Sequence, residues 1–224
     1  MCEQDVQTVS SRALRKVEAL LLALVLVAAY HAIPRWFFHF LPTKELYERL
    51  GGSGFANLWD LLSALVPFLL CVSVPSRSGL RIGEWHSRGW QVLGICALPV
   101  VLTAIIYPFT SQPFRGGNIG IWLISPIAQD LLFTGYLYGL LDAAFSGPVG
   151  KRLRINRAVF LTAVFFCLWH VPNFAGIPVP YVLFQLVYTL LGGVWVLLAR
   201  QLTGSILPGI ATHMAVNFLA WMGW

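Results

Sequence analysis

From residue 14 to the C-terminus the chain is a succession of apolar runs, most of them close to the ~20 residues that a helix needs to cross ~30 Å of hydrocarbon. Apart from Arg15 and Lys16 at the start of the first, its Lys and Arg fall in the gaps between those runs. A backbone in lipid has to satisfy its own N–H and C=O groups, so the runs read as membrane-spanning helices. They lie at residues 14–33, 58–74, 90–109, 119–141, 158–171, 181–198 and 206–224. The fifth is short for a full crossing, and the second carries Asp60 near one end. With 58% apolar and only 11% charged residues, water is not the main solvent of this chain. Its 224 residues suffice for one bundle and not for a separate soluble enzyme as well. The expectation is an all-α, polytopic transmembrane bundle of about seven spans, a single domain over residues 1–224.

The basic residues set an orientation, because Lys and Arg accumulate on the cytoplasmic side of a membrane. Seven crossings place Arg12, Arg15, Lys16, Arg77, Arg81, Arg88, Lys151, Arg152, Arg154, Arg157 and Arg200 on one side. Arg35, Lys44, Arg49 and Arg115 fall on the other. Eleven against four predicts the N-terminus inside, the C-terminus outside, and a multi-pass protein of the cell (inner) membrane. The net charge of +6 is thus a matter of topology, and no nucleic-acid partner is called for. Segment 42–57, which mixes charged residues with Leu46, Leu50 and Phe55, reads either as an interfacial helix or as a solvated loop. Segment 146–157 reads as an inside loop touching anionic headgroups. The first run follows basic residues as a signal peptide does but has no cleavage site, so it is read as a retained helix. Cys2 is not preceded by an apolar segment and is no lipoprotein signal. The four cysteines show no metal-ligand spacing and read as structural.

Against this apolar background the polar residues of the C-terminal half stand out. The fourth run places Gln129 and Asp130 side by side at mid-membrane, where an Asp costs roughly 2.5 to 3.5 kcal/mol. Such a cost calls for a partner or a use. Asp130 and Thr134 share a helix face at i and i+4, which predicts a hydrogen bond between them, whereas Gln129 points about 100° away. His170 closes the fifth run, one turn after Phe166 and two residues before Pro172, which stops the helix. His213 and Asn217 are again i and i+4, able to address one small target together. At 1.5 Å per residue Gln129 lies roughly 15 Å, and His213 roughly 16 Å, below the outer ends of their runs. One such residue is ordinarily an interhelical hydrogen-bond partner worth about 0.6 kcal/mol. Five on three helices at similar depth point instead to a shared cavity opening outward. Gln91, Gln185 and Asp60 join no comparable cluster and are read as structural, as are the close-packing pairs Gly135 with Gly139 and Gly192 with Gly193.

These residues resemble the three helical motifs of the CPBP, or CAAX-protease-like (Abi), intramembrane proteases. The family's EExxxR motif followed by Gly aligns with Gln129, Asp130, Thr134 and Gly135, its FxxxH with Phe166 and His170, and its HxxxN with His213 and Asn217. The resemblance covers residues 119–224, the expected catalytic core. It implies peptide-bond hydrolysis of a membrane-anchored protein or peptide by an activated water, without a cofactor. His170 would be the base or water-positioning group, and His213 with Asn217 the oxyanion site. The chain departs from the family at the first motif, where Gln129 occupies the place of the catalytic Glu and has no useful basicity. Either Asp130 then acts as base with His170 while Gln129 orients water or substrate, or hydrolysis is lost and the protein binds, transports or confers immunity. A zinc ion held by Asp130, His170 and His213 is a further alternative.

Overall fold

The computed structural model describes the backbone of residues 3–38, 43–81, 89–109, 120–149 and 155–222. The side chains of Cys2, Arg12, Arg35, Lys44, Leu46, Phe55, Arg88, Arg115, Lys151, Arg152, Arg154 and Trp224, invoked above, lie outside the described residues. The described residues are helical, with no strand beyond one isolated bridge between Pro148 and Asn156.

All seven expected runs are helical. The first is α1 (Glu3–Phe38). The second extends upstream of its expected start, as α2 (Thr43–Ser73), with a break at Gly51, whose φ of 70° few residues other than glycine adopt. Segment 42–57 is therefore helical from Thr43, not a plain loop. A single turn, α3 (Pro75–Ser78), closes on Gly79, and α4 (Gly89–Ile106) follows. The fourth run is a continuous rod in which α5 (Ser125–Asp130) and α6 (Tyr138–Phe145) alternate with π-helical turns at Gly120–Ile124 and Leu131–Leu137. The fifth is α7 (Arg157–Leu168), continued by a 3-10 turn at Val171–Ala175. The Asn156 side chain accepts from the Ala158 N–H to start α7, and Pro172 cannot supply the N–H that would continue it. α8 (Val179–Thr203) and α9 (Leu207–Trp221) complete the chain, each with a proline in its first turn, where the missing N–H costs nothing.

Three stretches among the described residues are long and apolar enough to cross a membrane: α4, residues Arg157–Ala175 and α8. Asp60–Ser73 and Leu207–Ala220 are shorter apolar helices. Their outward faces carry Leu65, Leu69, Ile105, Val187 and Leu191, all exposed, the surface of a membrane protein and not of a water-soluble one.

The rod of residues 120–145 runs through the interior, with α2 along one side and α7 and α9 on others. Leu131 to Gly135 are all buried. Because lipid tails are as apolar as leucine, close packing and polar bonds must hold such helices together. Small residues permit that approach. A Cβ at Gly139 would stand 2.6 Å from the Arg77 carbonyl oxygen, and one at Gly135 2.7 Å from the Cys71 Sγ. Gly193 packs against Phe166 and Ala163, but Gly192, expected to do likewise, faces open space beside a cavity. Cys71, Cys96 and Cys167 are free thiols, and Cys71 donates to the Leu131 carbonyl across the α2 contact at 2.9 Å.

Candidate active site

One cavity of about 390 Å³ lies between the rod, α7, α8 and α9, and Gln129, Asp130, His170, His213 and Asn217 all line it. The helices explain the convergence. Gln129 and Asp130 end α5, at the junction with the second π turn, a distortion that widens the helix locally and recurs at functional sites. His170 sits in the turn where α7 gives way to its 3-10 extension, and His213 and Asn217 share a face of α9.

Asp130 is 4% exposed, and both its oxygens are engaged. Thr134 Oγ1 donates to Oδ1 at 2.6 Å, the i to i+4 bond that the spacing predicts. His213 Nδ1 lies 3.0 Å from Oδ2 and, facing a carboxylate, is the donor. Among the described residues this is the one ion pair within 4.0 Å. It joins the rod to α9 across 83 residues of sequence.

His170 has a different partner. Its Nδ1 is 2.9 Å from the Phe166 carbonyl oxygen, one turn back in α7. A carbonyl can only accept, so Nδ1 carries the proton and, in the neutral ring, Nε2 keeps its lone pair. The Phe166 ring stands edge-on to both histidines, with centroids 5.2 Å from His170 and 5.8 Å from His213. The FxxxH pattern thus holds the imidazole twice, through the carbonyl of Phe166 and through its ring. Trp169, from the same turn, is braced by Tyr30 and His31 of α1 at 4.9 and 4.7 Å between ring centroids.

Gln129, although it points away from Asp130's partners, also reaches the cavity, and its Nε2 donates to Ser125 Oγ at 2.9 Å. Among the described residues the amide oxygen makes no hydrogen bond.

Two residues read as structural belong to the site instead. Asp60, from α2, and Gln185, from α8, both line the cavity. Gln185 Oε1 accepts from Asn173 Nδ2 at 2.9 Å, tying the turn after His170 to α8. Asp60 is partly buried and makes no hydrogen bond among the described residues. Neither carried a motif, and each is a lone polar residue in an apolar helix, so no spacing could have joined it to the others. Gln91 is exposed and apart from the cavity, as expected.

Elsewhere the lining is aromatic, with Phe133, Phe166, Trp169, Tyr181, Phe184 and Tyr188. Tyr188 is fixed through Thr103 of α4. The Thr103 hydroxyl donates to the Pro99 carbonyl at 2.7 Å and so accepts from the Tyr188 hydroxyl at 2.7 Å. Among the described residues no three His, Cys, Asp or Glu side chains are grouped closely enough to hold a metal ion.

A largely aromatic cavity lined by two histidines, a buried carboxylate and an amide can accept a proton at His170 Nε2 and donate from the His213 side. Residues 116–219 match a family model described as Rce1-like, type II CAAX prenyl endopeptidase Rce1-like. The match spans the three motifs and all five site residues, and it bears out the resemblance to the CAAX-protease-like family. Among curated proteins and among solved structures nothing matches the chain.

Proposed function

Starting from the membership of residues 116–219 in an Rce1-like CAAX-protease family, we propose that this protein is an intramembrane endopeptidase. Its substrate is a membrane-anchored protein or peptide whose scissile segment enters the aromatic channel. Water attacks the carbonyl carbon, and its proton passes to His170 Nε2. The oxyanion is held by His213 and Asn217. As the C–N bond breaks, the protonated His170 returns the proton to the leaving nitrogen, giving a carboxylic acid and an amine with no other reactant. No cofactor is needed, and stoichiometric zinc in the purified protein would overturn that part of the reading.

The observation that carries this reading is the convergence of His170, with Nε2 open, and the Asp130–His213 pair on one cavity. It also reassigns Asp130. With one oxygen bonded to Thr134 and the other to His213, Asp130 is a positioning residue that keeps His213 oriented and stabilises its imidazolium, in which both nitrogens donate. The base is then His170. Asp60, the other carboxylate of the cavity and free of hydrogen bonds among the described residues, supplies the negative charge that Gln129 cannot.

In this reading the chain is one domain of seven crossings with its catalytic core at 119–224, in the cell membrane with the N-terminus inside. The cavity then opens outward beside Asn173 and Tyr181, and substrates are reached from the outer face. Cysteine-accessibility labelling that placed Asn173 in the cytoplasm would reverse the orientation.

The decisive measurement compares membrane-protein termini in cells carrying wild type, His170→Ala and Asp130→Ala. The expected outcome is a set of termini that vanishes in both variants. If both variants retain every cleavage product, the cavity binds and does not cut.

A further inference from the structure

A second cleft, of about 340 Å³, lies at the other end of the bundle, lined by Arg77, Arg81, Tyr138, Asp142, Arg200 and Gln201 among others. From Tyr181, at the catalytic cavity, to Arg200, in this cleft, α8 rises about 28 Å at 1.5 Å per residue, so the two open at opposite ends of the same helix. The cleft contains none of the five motif residues.

Its chemistry is a concentration of guanidinium. Arg200 is 6% exposed, with Nη2 donating to the Arg77 carbonyl at 2.8 Å and its Cζ 5.6 Å from the centre of the Tyr138 ring. Its Nε is buried with no hydrogen-bond partner. Arg77 and Arg81 are exposed at the rim, and Arg81 Nε donates to the Gly204 carbonyl at 3.1 Å. Asp142 is the one carboxylate of the lining, and it accepts from Asn156 Nδ2. Among the described residues none of the three arginines has a carboxylate within 4.0 Å. Among the described residues, three positive charges therefore face one carboxylate, which accepts a hydrogen bond from a neutral amide on Oδ1.

The backbone is shaped around these side chains. Gly79 and Gly204 have φ of 73° and 70°, and a Cβ on either would collide with the guanidinium of Arg200 or Arg81 respectively. Ser205 Oγ donates to the Arg81 carbonyl at 2.5 Å, fastening the turn after α3 to the turn between α8 and α9. A brace between those turns would need only the Nη2 bond of Arg200. It leaves unexplained a buried charge whose Nε has no hydrogen-bond partner, and two further arginines beside it. A buried guanidinium is strongly disfavoured unless a counter-charge answers it, and among the described residues no carboxylate stands within 4.0 Å of Arg200.

We propose that this cleft binds a phosphate group. Arginine forks fit phosphate oxygens in pairs, and basic pockets between membrane helices on the cytoplasmic side are suited to anionic headgroups. The phosphate belongs either to a phospholipid headgroup of that leaflet or to a free phosphate in solution, and one experiment separates the two. The full-length protein, purified in a neutral detergent, is melted alone, with phosphatidylglycerol, with phosphatidylcholine and with inorganic phosphate. The same series is run on the double variant Arg77→Gln/Arg81→Gln, whose exposed side chains can be changed without disturbing the core. Its Tm without additive and its proteolytic activity report that it is folded.

The expected result is a rise of about 3 °C or more with phosphatidylglycerol, absent with phosphatidylcholine and lost in the double variant. An equal rise with inorganic phosphate, also lost in the variant, supports the site and assigns it to free phosphate. Equal shifts with both lipids and none with phosphate overturn the proposal, and so does a preference that the variant keeps in full.

Discussion

Asp130 and Arg200 are both buried charges on helices of one bundle, 4% and 6% exposed, yet the protein treats them in opposite ways. Asp130 is answered from within, by the Thr134 hydroxyl on one oxygen and the His213 imidazole on the other. Arg200 is answered by a carbonyl and an aromatic face, neither of which carries charge. A charge neutralised internally can hold a partner still, which is what an oriented histidine requires. A charge left without a counter-charge is suited to a ligand that brings one. The two ends of α8 thus differ in kind, one with its buried carboxylate paired inside the protein and the other, in the proposal above, answered by a bound phosphate.

The largest expected effects test the first half of that contrast. Asp130→Asn keeps the shape but removes the charge that stabilises the His213 imidazolium, and kcat/KM for cleavage should fall on the order of 10³- to 10⁴-fold. A loss below tenfold would mean that Asp130 orients nothing that matters to the reaction. Asn217→Ala removes one oxyanion donor, and a drop of roughly 10²- to 10³-fold in kcat is expected with KM little changed. Gly139→Ala acts on packing alone. The new methyl meets the Arg77 carbonyl at 2.6 Å, so denaturation should show a loss of about 1 to 3 kcal/mol with the cleavage chemistry intact. Thr134→Val deletes a single hydrogen bond to a carboxylate, and about a tenfold fall in kcat/KM is anticipated, well short of Asp130→Asn. The smallest effect belongs to the other end. Arg200→Met keeps the apolar stem and removes the unanswered charge, so in detergent free of anionic lipid stability should change by less than about 1 kcal/mol or rise. A loss of about 3 kcal/mol or more would show that Arg200 is compensated after all and would undo the comparison. Gln129→Glu restores a carboxylate at the first motif and is expected to preserve or increase cleavage, and a sharp loss would give Gln129 a role of its own.

Much of the architecture is a direct consequence of the order of residues. Apolar runs in a chain with so few charges have to be helical, and each of the seven is. Spacing alone also predicts the Asp130–Thr134 bond, because i and i+4 meet on one face of a helix, and it predicts that His213 and Asn217 act together. The motif order was enough to find the resemblance that the family model of residues 116–219 bears out, since three short patterns in sequence exclude more than any one of them.

Only the tertiary structure decided which partner each polar group takes. No spacing relates Asp130 to His213, 83 residues apart, or brings Asp60 of α2 into a cavity lined mostly by the C-terminal half. Those relations depend on how helices are rotated about their axes and how closely glycines let them approach, and packing in lipid fixes both through contacts that no single segment contains. The same holds for Arg77, Arg81 and Arg200, which the sequence places in two distant segments as topological charges and the fold gathers into one cleft. Local periodicity determined that the chain is a bundle of membrane helices and which residues share a face. Long-range packing determined that Asp130 meets His213, while Arg200 has no carboxylate within 4.0 Å among the described residues.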